Sequence, residues 1–142
     1  MQHLLLRQQL YNNITQKESQ VNIALWIVQG FLAAMYLMAG IMKTFRTSKA
    51  KEQLPWAKNR SDGFVRFIGT SELLGALGLI LPLVTGILPG LTVLAAIGLT
   101  LIQLLAMFTE HLPKKEFNVI PVNIVLVALA IFIVIGRWTL LS

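Results

Sequence analysis

The sequence predicts an all-α integral membrane protein, a four-transmembrane-helix antiparallel bundle, on three observations. Hydrophobic residues make up 56% of the chain and charged residues 13%, where soluble proteins carry about 45–50% and about 25%. Four apolar runs are nearly free of charge, and the few polar residues inside them recur at helical spacing. The 142 residues hold a handful of spans at about 20 residues each and no second catalytic domain. Cysteine is absent, which excludes disulfides, thiolate nucleophiles, iron–sulfur clusters and thiolate zinc sites. Redox chemistry would have to be borrowed from a cofactor or a partner.

The first twenty residues read as a polar N-terminal tail or as an interfacial helix, with Leu4, Leu10, Tyr11 and Ile14 grouped on one side. Leu4-Leu5-Leu6 is too short for the apolar core of a cleaved signal peptide, so the first span itself is expected to direct insertion. The membrane domain is expected over residues 21–138. Its first span covers 21–42 without a charge, long enough at about 1.5 Å per residue to cross a hydrocarbon core of roughly 30 Å. The second covers 64–81, interrupted by Arg66 and Glu72, with Pro82 expected to stop the helix. Residues 88–108 form the third, with Pro89 in its first turn, where the missing N–H costs nothing. The fourth covers 119–136, with Pro121 in its opening turn and Arg137-Trp138 at the interface. The Pro82–Leu88 turn, uncharged and short, predicts an antiparallel hairpin of spans two and three.

Of the twelve Lys and Arg residues, nine lie in or beside the loops after spans one and three, and only Arg7, Lys17 and Arg137 fall on the other side. The positive-inside rule then places the basic loops in the cytoplasm and both termini outside, as in a bacterial inner membrane. Orientation accounts for this charge; a lipid headgroup or acidic-partner site is the alternative reading. A nucleic-acid partner is not expected despite the net charge of +6, because the basic residues crowd between apolar runs instead of covering a soluble face.

In span one Gln29, Ala33, Tyr36, Gly40 and Lys43 share a helical face, and Thr92, Ala96, Thr100, Gln103, Met107 and Glu110 do so in span three. Polar groups facing lipid tails are costly, so these stripes should look into the bundle. Glu72 lies eight residues into span two, a depth of about 12 Å. By the same arithmetic Tyr36 and Gln103 lie about 10 Å deep and Asn123 about 6 Å deep, so the four could meet in one polar pocket nearer the basic loops. Three readings of Glu72 stay open: interhelical glue to Gln103 or Tyr36 worth about 0.6–2 kcal/mol, a functional carboxylate for a ligand or proton, or a salt bridge to Lys43. In the resting protein Glu72 is expected to hold its proton, with no cation at its depth and with the Lys43 ammonium turned to water. His111, at the basic-side end of span three, reads as an anchor or helix C-cap ahead of a proton or ligand role. No metal site is expected, since Glu72, Glu110 and His111 lie at three depths without ligand spacing. The ligand or proton-binding candidates are therefore Glu72, Gln103, Tyr36, Asn123, Lys43 and His111.

Gly40-Ile41-Met42-Lys43 and the run Ile68-Gly69-Thr70-Ser71-Glu72-Leu73-Leu74-Gly75-Ala76-Leu77-Gly78-Leu79-Ile80-Leu81-Pro82, followed by Thr85-Gly86-Ile87-Leu88-Pro89, Leu94-Ala95-Ala96, His111 and Asn123, resemble the DoxX-like family over roughly residues 22–138. The resemblance implies a small four-helix membrane protein whose relatives include a thiosulfate:quinone oxidoreductase subunit and membrane assembly factors. It implies fold more firmly than activity. The expected role is an accessory or small-molecule-binding membrane component that is not an enzyme on its own, in a homo-oligomer or with a partner membrane protein. The alternatives are the membrane subunit of a quinone-linked oxidoreductase, with quinone as cofactor by resemblance alone, and a small proton-coupled transporter.

Overall fold

A computed structural model describes residues 1–142 and contains helices and turns without a strand. Helix α1 covers Gln2–Phe45, α2 covers Thr47–Gln53, α3 covers Asp62–Thr85, α4 covers Leu91–Ala106 and α5 covers Ile120–Arg137. A 3₁₀ turn, Pro55–Ala57, joins α2 to α3, and a wide π turn, Met107–His111, extends α4. Four of these helices are long and apolar enough to cross a membrane. They form a ring in which α1 and α4 each pack between α3 and α5.

The inward faces are the predicted stripes. Gln29, Tyr36, Gly40 and Lys43 are buried on α1, and Thr92, Ala96 and Gln103 on α4. The central core joins Leu32, Leu79, Leu99, Ala130 and Ile133 from all four spans. Large apolar residues such as Ile27, Leu74, Leu94 and Ile135 cover the outside, as a lipid-facing surface requires. Small residues set the closest approaches: an added β-carbon at Gly40 would lie 2.8 Å from the Gly69 carbonyl oxygen, and one at Gly78 would lie 2.7 Å from Ala95 Cβ. Backbones can come this close only where side chains are missing.

The tail residues 2–20 continue α1 as one helix and are exposed throughout. The expected stop at Pro82 is corrected: α3 runs through it to Thr85 and ends at Gly86, whose φ of 70° is a left-handed cap. Pro82 lacks the N–H for the Gly78 carbonyl, and Gln29 Nε2 donates to the adjacent Leu79 carbonyl at 2.7 Å. A neighbouring helix thus supplies a donor where the proline disturbs the ladder. The short connection from Gly86 to Gly90 sets α3 and α4 side by side as a hairpin.

The basic loop is folded. Ala50, Trp56, Ala57 and Val65 form a small core of their own beneath it. Ser61 caps α3 by accepting from Phe64 N at 3.3 Å, as an N-cap serine does.

Candidate functional site

The close Gly40–Gly69 crossing fixes where Lys43 goes. An added β-carbon at Gly69 would lie 2.6 Å from Lys43 Cβ, so the Lys43 stem passes across the glycine towards Glu72, three residues further along α3. Lys43 Nζ lies 2.5 Å from Glu72 Oε1, and both side chains are buried. The expectation that Glu72 has no cation at its depth, with Lys43 turned to water, is corrected. Water is not where the end of the apolar run suggests, because the folded loop covers it and Trp56 places its ring 5.6 Å from the ammonium. The geometry pairs Glu72 with Lys43 through Oε1, while Gln103 and Tyr36 bond each other and not Glu72.

The Tyr36 hydroxyl donates to Gln103 Oε1 at 3.3 Å, and Gln103 Nε2 donates to Asn123 Oδ1. This line crosses from α1 through α4 to α5 and ends at Asn123 Nδ2, which has no partner in the protein. Glu72 Oε2 is likewise buried without a partner. Both residues line a cavity of about 570 Å³, inside the range of roughly 300–1,000 Å³ typical of small-molecule pockets. Five of the six candidate residues, Lys43, Glu72, Gln103, His111 and Asn123, line it. Tyr36 stands behind Gln103.

Residues outside the six candidates close the basic end. Glu110 receives Arg60 on Oε1 and Lys114 Nζ on Oε2 at 2.7 Å, while the same Lys114 ammonium donates to the Trp56 carbonyl at 3.1 Å. The loop before α3 is thereby tied to the end of α4 over the cavity. His111, at the end of α4, is buried with Nδ1 2.6 Å from Glu116 Oε2 and lines the cavity. Both Glu110 and His111 sit in the π turn, whose Leu112 N bonds back five residues to the Met107 carbonyl. Such wide turns shift side-chain direction and recur at functional sites. The one signal in the sequence was Glu110 at the end of the polar stripe of span three.

A second polar group lies at the opposite end, where Arg137 Nε donates to Gln29 Oε1 at 3.0 Å and Nη1 to Asn22 Oδ1 at 2.7 Å. It fastens α5 to α1 and leaves Arg137 Nη2 without a partner.

A ring of four apolar helices around a buried ion pair and a lipid-flanked cavity defines a small polytopic membrane protein with an internal polar site. The family model described as the DoxX-like family matches residues 27–133, and the chain belongs to that family as an integral membrane protein. The match spans α1 from just before Gln29 to Ile133 of α5, and so includes all six candidate residues. Neither the curated proteins nor the solved structures contain a match to the chain.

Proposed function

We propose that this DoxX-like protein binds a small molecule in the cavity beside Lys43 and Glu72, as an accessory component of a bacterial inner membrane and not as an enzyme on its own. The observation that carries the reading is the pair of unpartnered atoms, Glu72 Oε2 and Asn123 Nδ2, on the wall of one cavity. A buried polar atom without a partner costs about 1–3 kcal/mol. A ligand supplying one donor and one acceptor would offset both losses at once. The Lys43 ammonium holds the Glu72 carboxylate in place, and the Tyr36–Gln103–Asn123 line orients the Asn123 amide so that its nitrogen is left for the ligand.

Native mass spectrometry of protein extracted gently from its own membrane tests this. The wild type is expected to retain a small organic ligand, and Ala106→Phe, which places a ring in the cavity, is expected to lose it while remaining folded. Wild-type protein that flies without added mass, together with a melting temperature unmoved by Ala106→Phe, refutes ligand binding there.

The orientation we infer has the basic end in the cytoplasm, from the nine-to-three division of Lys and Arg. Ser48 is exposed on α2 and the protein has no cysteine, so Ser48→Cys creates a single label site. An impermeant maleimide should label it only after the cells are opened. Labelling on intact cells reverses the assignment.

A further inference from the structure

Which class of molecule suits the cavity follows from its charge, its rim and its closed end. We infer that the ligand is an uncharged, hydroxyl-bearing amphiphile of the monoacylglycerol or long-chain alcohol type, taken sideways from the bilayer with its head between Glu72 and Asn123; this rests on the binding reading above. Each carboxylate around the cavity already has a basic partner. Glu72 faces Lys43, Glu110 faces Arg60 and Lys114, and Glu116 faces His111. A further charge brought into this interior would find these groups already engaged with one another, which is costly where water is excluded. The two unpartnered atoms that belong to cavity-lining residues are an acceptor, Glu72 Oε2, and a donor, Asn123 Nδ2. A hydroxyl both donates and accepts, and a head with two hydroxyls satisfies both atoms across a range of spacings.

The rim points to the bilayer. Phe67, Leu105 and Val122 line the cavity and are 67%, 62% and 54% exposed on the apolar outside of the bundle. Phe67 stands five residues after the start of α3 at Asp62, roughly 7–8 Å along the helix, so the opening lies in the upper part of the apolar layer. Towards water the cavity is covered by Pro55 and Trp56, tied down through Lys114 and through the Arg60–Glu110 pair. An apolar chain can thus remain among lipid tails at the rim while the head reaches inward. A water-soluble ligand would have to break the cover.

Trp56 lines the cavity, whereas the other two tryptophans, Trp26 and Trp138, lie outside it. A Trp26→Phe/Trp138→Phe protein in nanodiscs of saturated phosphatidylcholine therefore reports on the cavity alone. The titrants are 1-monoacylglycerol, fatty acid and alkylamine with the same brominated chain, each with a quenching bromine near the head, and separately glycerol as a competitor. The monoacylglycerol is expected to quench Trp56 saturably, with a half-saturation at least about tenfold below that of the acid or the amine. Glycerol should not compete. Asn123→Leu should raise the half-saturation about tenfold, the equivalent of about 1.4 kcal/mol. Should Asn123→Leu fail to fold, Ala106→Phe must abolish the saturable part instead. Equal or stronger quenching by the charged chains, competition by glycerol, or saturable quenching unchanged in folded Asn123→Leu or in Ala106→Phe overturns the inference. A charged or water-soluble molecule found by native mass spectrometry would overturn it too while leaving ligand binding in place.

Discussion

Lys43→Met is expected to destabilise the protein by about 3–5 kcal/mol, because it strands the Glu72 carboxylate among apolar neighbours with its only ionic partner removed. Glu72→Gln should cost much less, about 1 kcal/mol. Without its carboxylate the Lys43 ammonium keeps the Trp56 ring and can bend its flexible stem towards the loop and water, and the glutamine retains hydrogen-bonding capacity. The double variant Lys43→Met/Glu72→Gln removes the stranded charge and should recover most of the loss of Lys43→Met. Unfolding in detergent with rising sodium dodecyl sulfate, followed by tryptophan fluorescence, gives all three values and hence the coupling between the two residues. Equal losses for the two single variants, adding to the loss of the double, would show that the pair does not hold α1 to α3.

The bundle was legible because the bilayer imposes a simple rule. Backbone polar groups must be satisfied within each span, so apolar runs of the right length become helices and polar residues turn inward. Depth arithmetic put Glu72, Tyr36, Gln103 and Asn123 within reach of one pocket; three of them line the cavity, and Tyr36 stands behind Gln103. It failed at Lys43, because depth was counted from the end of the apolar run. The folded loop moves the boundary with water outward, and the sequence marks that loop only by short signals such as Ser61 before α3 and Pro55 at a turn. Pro82 misled for a related reason: its effect on the ladder is met by Gln29, 53 positions earlier in the chain. The Arg60–Glu110 tie and the π turn have no local signature, since one joins residues fifty positions apart and the other depends on how α4 ends against the loop. Residue type located the polar groups; chain packing chose their partners.

Gly69 is the residue on which this choice of partner depends, and Gly69→Ala should be the most disruptive single-methyl change in the bundle. Its β-carbon would meet Lys43 Cβ and Thr44 Oγ1 at 2.6 Å and the Thr44 backbone nitrogen at 2.8 Å. No rotamer change moves a backbone nitrogen or a β-carbon, so α1 and α3 must separate. Overpacking of this kind costs about 1–3 kcal/mol, to which weakening of the ion pair adds. Gly30→Ala supplies the contrast, because nothing lies within 4 Å of the added carbon in the middle of α1. There the better helix propensity of alanine should leave stability unchanged or raise it by up to about 1 kcal/mol. The decisive measurement repeats the Lys43–Glu72 double-variant cycle in a Gly69→Ala background. If the crossing sets the ion pair, the coupling falls well below its value in the parent protein; a coupling of undiminished size, or a Gly69→Ala protein as stable as Gly30→Ala, would mean that Lys43 finds Glu72 without the close approach of the two helices.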